Sequence, residues 1–226
     1  MKPVVVIGGG TSVRELDLVS VSKLTTITVN NAWKIAPWAV EAFAGDGRWW
    51  DHWGEGEKLL KNFKGKISST DQVKADIVRK NNRVIKYRLS DNPKDLEDPN
   101  AVLAPDSGSK ALCRAYHMGG NPILLAGFDL CTDKNGTTHW HSEHNERPSK
   151  HSWENFGARH FQIYTALVDK GVMVYRITPL GDKRIPFRPI EDFIDESQPR
   201  LRPDAPQPRS QPQGNTVVCG SGLRKL

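Results

Sequence analysis

Two stretches of this chain are apolar without alternation, residues 3–8 (PVVVIG) and 122–126 (PILLA). A run of that kind, rich in β-branched residues and bounded by Pro and Gly, predicts a strand buried on both faces. Weaker runs predict further strands at 25–30, 42–45, 66–68, 83–87 and 172–177. Between them the spacing of apolar positions predicts helices over 11–19, 32–39, 49–63, 108–118 and 153–170, the last ended by Gly171. Residues 90–106 and 131–150, dense in Asp, Asn, Ser and His, are expected to be loops. There are no internal repeats. Short apolar strands separated by helices predict an α/β fold, Rossmann-like, with a mainly parallel sheet covered by helices on both faces.

From residue 197 onward the pattern stops. SQPRLRPDAPQPRSQPQGNT has almost no large apolar residue, so it cannot offset its ordering entropy and is expected to be a disordered tail beyond a single domain over 1–196. Five basic residues and one acid, Asp204, give that tail +4 of the chain's net +6, leaving +2 on the body. A body of so little charge does not point to nucleic acid as a standing partner. No apolar run reaches the ~20 residues of a membrane span. The start, MKPVVVIGGG, is too short to be a secretory signal, and a cytoplasmic location is expected. Cys113, Cys131 and Cys219 are too scattered for a disulfide framework or a thiolate zinc site. The first two are expected to be small buried apolar residues.

In a parallel α/β sheet, ligands sit beyond the carboxyl ends of the strands, and the small polar residues of this chain gather at those ends. Gly8, Gly9 and Gly10 follow the first strand and let a ligand approach the backbone, while Thr11 and Ser12 open a helix whose free N–H groups suit an anion. The turn is neither a full GxGxxG fingerprint nor a Walker loop. Asn30 and Asn31 end the second strand, where they could read a base or a ribose. Asp46 could bind a hydroxyl or a magnesium-bound phosphate, and Asp129 ends the strand PILLAGFD. Ser107 and Gly108 open a helix and form a possible second anion-holding turn, with Ser107 as its cap. Five of the seven tryptophans fall within 33–53, more of them expected in the core than in a site. The loop carrying His139, His141, His144 and His151 holds enough nitrogen for a metal but fixes no coordination geometry, so no metal is assigned to it. A histidine acting as general base is the stronger expectation.

The order of these segments resembles the bacterial sialyltransferases of glycosyltransferase family 42: a glycine turn with a serine, an Asn at the next strand tip, Ser-Gly opening a helix, a strand ending Gly-Phe-Asp, then His-Ser before a long helix. The glycine turn is also similar to the domain family that includes the archaeal hydroxymethyl-dihydropterin pyrophosphokinase. The VNNA–W, GD–WW and HWH–H segments resemble small proteins of tailed bacteriophages. The resemblance, over residues 3 to 180, implies a cytidine nucleotide held by Gly8, Gly10, Ser12, Asn30, Ser107 and Gly108, with His151 as general base. The chain departs from that family at Gly9 and Asp46, each in place of an Asn, at Thr11 in place of a Pro, and in lacking tyrosines across 129–151. These departures argue against a sialyl donor. The expected activity is therefore transfer from a nucleotide-sugar donor, a pyrimidine nucleotide favoured, with base catalysis by His151, His141 or His144. The acceptor is open, a nucleic-acid base or a cell-surface sugar included. A phosphotransferase using ATP and magnesium, with Asp46 and Asp129 toward the metal, and a non-catalytic nucleotide- or host-factor-binding protein are the alternatives.

Overall fold

A computed structural model describes residues 2–51, 54–103, 106–141 and 150–194, the last segment with its side chains from 153 onward. The expected tail at 197–226 lies outside the described residues. Eight parallel strands form one sheet in the order β6-β5-β4-β3-β2-β1-β7-β8. They are β1 (Val4–Ile7), β2 (Thr25–Val29), β3 (Glu41–Phe43), β4 (Lys66–Thr70), β5 (Val84–Ser90), β6 (Ala101–Leu103), β7 (Ile123–Ala126) and β8 (Val174–Arg176). The expected Rossmann-like α/β architecture is thus present.

The two apolar runs are the adjacent central strands β1 and β7, paired Val4↔Ile123 through Ile7↔Ala126. Because side chains alternate across a strand, Val4 and Val6 enter one core and Val5 and Ile7 the other, all four fully buried. Burying such side chains contributes roughly 1.5–3 kcal/mol each, which places this pair at the centre. The first core lies under α5 (Ser107–His117) and α6 (Lys150–Asp169) and includes Leu112, Ile163 and Leu167. The second lies under α1 (Leu18–Val21) and the 3-10 turn Ile190–Phe193. A third apolar cluster joins Trp49 and Trp50 of α2 (Gly47–Asp51), Leu59 of α3 (Glu55–Asn62) and Val78 of α4 (Asp76–Lys80) to Ala42 and Ile67. Among the described residues no helix is long and apolar enough to cross a membrane.

Several local expectations are corrected. The helix expected at 11–19 is a 3-10 turn, Thr11–Glu15, followed by α1, because Leu16 is extended and Asp17 starts a new helix by accepting from the amides of Val19 and Ser20. The helix expected at 32–39 is a 3-10 turn over Asn30–Lys34; Pro37 just beyond it has no N–H with which to continue a helix. The loop expected at 90–106 contains the 3-10 turn Pro93–Glu97 and the edge strand β6. Cys113 is buried, its thiol pushed up to about 12 by that burial, whereas Cys131 is only half-buried.

One buried ion pair ties the outer sheet to α5. Glu41 on β3 is completely buried, accepts from Ser68 Oγ at 2.7 Å and from Arg114 Nε at 3.2 Å, and Arg114 stacks over the Tyr87 ring at 4.0 Å. Removing one member of such a pair strands the other charge in the interior. Arg114→Met should therefore lower unfolding free energy by about 3–5 kcal/mol in urea melts; a loss below about 1 kcal/mol would show that the pair contributes little.

Candidate active site

The strand order reverses direction at β1: β2 to β6 extend to one side of it, β7 and β8 to the other. At such a switch point the connections leave on opposite faces and open a crevice at the carboxyl ends. Here that crevice is a cleft of about 710 Å³. Of the residues the sequence singled out, Gly8, Gly9, Gly10, Asn30, Asp46, Ser107, Gly108 and Asp129 line it together. Thr11, Ser12, Asn31 and His141 do not.

The reason is visible at the glycine turn. Asp129 is buried and turns both oxygens back on the turn: Oδ2 accepts from the Ser12 amide at 2.8 Å and from Thr11 Oγ1 at 3.3 Å, and Oδ1 accepts from Ser12 Oγ. Burial nonetheless raises its pKa above the ordinary carboxylate value against those hydrogen bonds. Thr11 and Ser12 therefore serve an internal carboxylate. The amides of Gly8 and Gly10 donate to Ala126 and Gly127; among the described residues, those of Gly9 and Thr11 have no acceptor.

Asn30 and Asn31 have separated roles. Asn31 is buried, with Oδ1 accepting from Trp49 Nε1 at 3.1 Å and Nδ2 3.4 Å from the His141 ring, so it braces α2 and the histidine loop. Asn30 has a left-handed backbone, φ +50, and its buried Oδ1 has no partner among the described residues. A non-glycine residue in that region and a buried acceptor without a donor are both costly, and such features gather at ligand sites. Asp46 is half-exposed at the rim, accepting from the amide of Arg48 at 2.9 Å and lying 3.4 Å from its guanidinium.

The opposite wall is built by α5 and α6, and its chemistry was not read from the sequence. The cap of α5 is Asp106 and not Ser107: its side chain accepts from the Ser109 amide at 2.8 Å and from Ser109 Oγ at 2.7 Å, and also takes His160 Nε2 of α6 at 2.8 Å. Ser107 instead accepts from the amide of Gly45 at 3.0 Å, joining α5 to the end of β3. Lys110, one turn into α5, is 2% exposed, and burial lowers its pKa while Asp106 and Asp46 act to raise it. Trp153, Phe156 and His160 line the cleft from one face of α6, and the Phe128 ring meets His160 edge-on at 5.2 Å. The spacing 153–156–160 is a helical stripe and could have been noticed; Asp106 beside Ser109 is a capping pattern displaced one residue from the one expected.

Among the four loop histidines, His139 lines the cleft, its Nδ1 2.7 Å from Thr138 Oγ1. It packs on Gly9, where an added Cβ would stand 2.7 Å from His139 Cδ2. The backbone holds the segment there: Trp140 donates to Gly9 O at 3.0 Å, and Arg14 donates to Trp140 O at 3.0 Å. His144 lies outside the described residues. His151 lies in the first turn of α6, with its side chain outside them.

Burial opposes ionisation of Asp106, but the charge and hydrogen bond of His160 and the donors of Ser109 outweigh it, holding the carboxyl at about 2. The folded value lies below the ordinary ~3.9 of an unfolded Asp. Its contribution is thus present above about pH 4 and lost as the pH falls toward 2. In denaturation from pH 7 to pH 2, the stability gap between wild type and Asp106→Asn should shrink by about 2 kcal/mol; a gap independent of pH would refute the pairing.

Scanning protein-family models and searching curated proteins gave no match. Among solved structures the chain is similar to the sialyltransferase CstII from Campylobacter jejuni in complex with the substrate analogue CMP-3FNeuAc, at 13% identity and a TM-score of 0.50, covering 98% of this chain and 96% of that one. The monofunctional α-2,3-sialyltransferase Cst-I from the same organism matches at 12% identity and a TM-score of 0.50, over 95% of this chain and 90% of that one. The MAf glycosyltransferase from Magnetospirillum magneticum matches at 11% identity and a TM-score of 0.60, over 83% of this chain, which spans 33% of that protein. At these identities what is shared is the fold.

Proposed function

We infer that the protein is a glycosyltransferase that takes a nucleotide-sugar donor, with a pyrimidine nucleotide in the cleft beside β1 and β2. The observation that carries this reading is Asn30. Its left-handed backbone and its buried Oδ1, without a partner among the described residues, face a cleft walled by a glycine turn and the start of α5, and a base N–H or ribose O–H would complete it. Support comes from the fold's likeness to CstII, a protein whose structure holds a CMP-sugar analogue. The same likeness extends to Cst-I and to a second glycosyltransferase. The amides of Gly9 and Thr11, without an acceptor among the described residues, and the α5 start would hold the donor's phosphate; Trp153, Phe156 and Phe128 offer apolar faces to a base or sugar.

In the transfer, the donor's anomeric carbon–oxygen bond breaks with its electrons going to the phosphate, the acceptor oxygen bonds to that carbon, and its proton passes to a base. His139 is proposed for the proton, because it is the loop histidine that the described residues place on the cleft; His151 remains the base implied by the sequence resemblance. The magnesium-dependent phosphotransferase alternative needs Asp129 as a metal ligand, and its oxygens are already held by Ser12 and Thr11.

A thermal-shift panel of CMP, CDP, UDP, GDP and ATP tests the reading. Stabilisation by a pyrimidine nucleotide, equal with and without magnesium, is expected; stabilisation by ATP alone, and only with magnesium, would replace it with the phosphotransferase. With the nucleotide sugar of whichever nucleotide binds best, His139→Ala should slow donor consumption about 10²-fold or more while nucleotide affinity changes little. His141→Ala should leave consumption near wild type. Wild-type rates in His139→Ala together with loss in His151→Ala would move the base to His151.

A further inference from the structure

His160 has no part in the transfer described above, yet its ring lines the cleft and is 7% exposed. Asp106 Oδ1 accepts from its Nε2 at 2.8 Å and from the Ser109 amide at 2.8 Å. With its carboxyl held at about 2, Asp106 is ionised and can only accept. The ring proton is thereby assigned to Nε2, and in the neutral imidazole Nδ1 is left as a lone pair. That nitrogen is buried and has no partner among the described residues. A buried acceptor left unmet costs about 1–3 kcal/mol. Asn30 Oδ1, across the same cleft, presents the same need. A ligand that satisfies both walls must bring hydrogen-bond donors to each.

The surroundings of His160 narrow the kind of donor. Trp153, Phe156, Gly157 and His160 share one face of α6 by their spacing. Helical side chains lean toward the helix start, so the His160 ring lies over the turn that carries Phe156 and Gly157. Gly157 lets that turn approach Leu130 on the cleft wall, where an added Cβ would stand 3.3 Å from Leu130 Cδ1. Trp153 and Phe156, both half-buried, meet edge-on with centroids 6.3 Å apart, and Phe128 meets His160 edge-on at 5.2 Å. Three aromatic rings around one buried acceptor suit a sugar: the rings cover its C–H faces while the acceptor takes a hydroxyl. A carboxylate has lone pairs only and gives such an acceptor nothing.

Resting on the nucleotide-sugar reading above, we propose that this face of α6 is the donor's sugar subsite, where His160 selects a neutral, hydroxylated sugar over an acidic one by accepting a hydroxyl at Nδ1. Phe156, half-buried one turn before it, is the side chain that turns aside to admit that hydroxyl. Asp106 acts through His160, as a positioning residue that fixes which nitrogen carries the proton. The bond to His160 is made to a hydroxyl that does not react, so the proton of the acceptor substrate still passes to the loop histidine.

Calorimetric titration at pH 8 of UDP, UDP-glucose, UDP-galactose, UDP-N-acetylglucosamine, CMP and CMP-sialic acid into wild type and His160→Gln tests this. The glutamine can still donate to Asp106 but places no acceptor where Nδ1 stood. Relative to the parent nucleotide, at least one neutral sugar should bind about tenfold more tightly than sialic acid does. His160→Gln should weaken that neutral-sugar nucleotide by about tenfold while binding the parent nucleotide within about twofold of wild type. Equal weakening of both, an unchanged affinity for the sugar, a preference for CMP-sialic acid, or wild type that binds the nucleotides and none of the sugars would overturn the proposal and leave nucleotide binding standing. Wild type that binds no nucleotide would overturn both readings. Should His160→Gln not fold, wild type labelled with ¹⁵N-histidine decides. The His160 ring, assigned through its contact with Phe128, should carry its proton on Nε2, and its Nδ1 resonance should move with the neutral-sugar nucleotide and not with the parent nucleotide. A proton on Nδ1, or an Nδ1 resonance indifferent to the sugar, would refute the assignment.

Discussion

The structure depends on the contact between two glycine turns. β1 and β7 lie side by side at the centre of the sheet, and the turns that leave them touch backbone to backbone: Gly10 N donates to Gly127 O at 2.8 Å, and a Cβ on Gly8 would stand 2.7 Å from that same oxygen. Gly127 itself is left-handed, φ +70, with Val13 pressed against the place its Cβ would occupy. A side chain at either glycine would force the strands' ends apart. The contact allows Asp129, two residues beyond, to reach Ser12 and Thr11 and hold the turn closed from inside. A glycine turn held by its own carboxylate has fewer amides to offer a ligand; among the described residues those of Gly9 and Thr11 are left without an acceptor.

Three carboxylates in and behind the cleft share one arrangement: a neighbour from a different element lowers the cost of removing each from water. Asp106 joins α5 to α6 through His160. Glu41 joins β3 to α5 through Arg114. Asp129 joins β7 to the turn after β1. Polar groups thereby fix how helices sit on a sheet whose apolar faces, being non-directional, would allow them to slide.

What could be read from the chain depended on whether its cause was local. The runs at 3–8 and 122–126 are apolar because both faces of those strands are buried, so the central strands and the glycines after them were legible. The three-residue strand β6 has no pattern of its own and exists by pairing with β5, which is why 90–106 was expected to be a loop. At the site, Gly8, Gly9, Gly10 and Asn30 were found because strand-end position marks them, and Ser107 and Gly108 because they open a helix. Thr11, Ser12 and Asn31 have the same local signature but point to partners 118, 117 and 18 residues away, which no local pattern records. Lys110 and His160 were passed over for the opposite reason: on their helices they look like ordinary polar positions, and only the approach of Gly45 and Asp106 makes them part of a cleft.

Gly9 has a meaning of a different kind from the other two glycines of its turn. Its missing side chain is compensated from outside, by the ring of His139 lying in the space. The turn and the loop are thus two halves of one wall, and they constrain each other's history. A relative with a side chain at position 9 must have moved or shortened the residue at position 139, and one that lost the histidine would gain by filling position 9. Neither change is neutral alone, so the pair should pass through evolution as a single character, inherited or exchanged together.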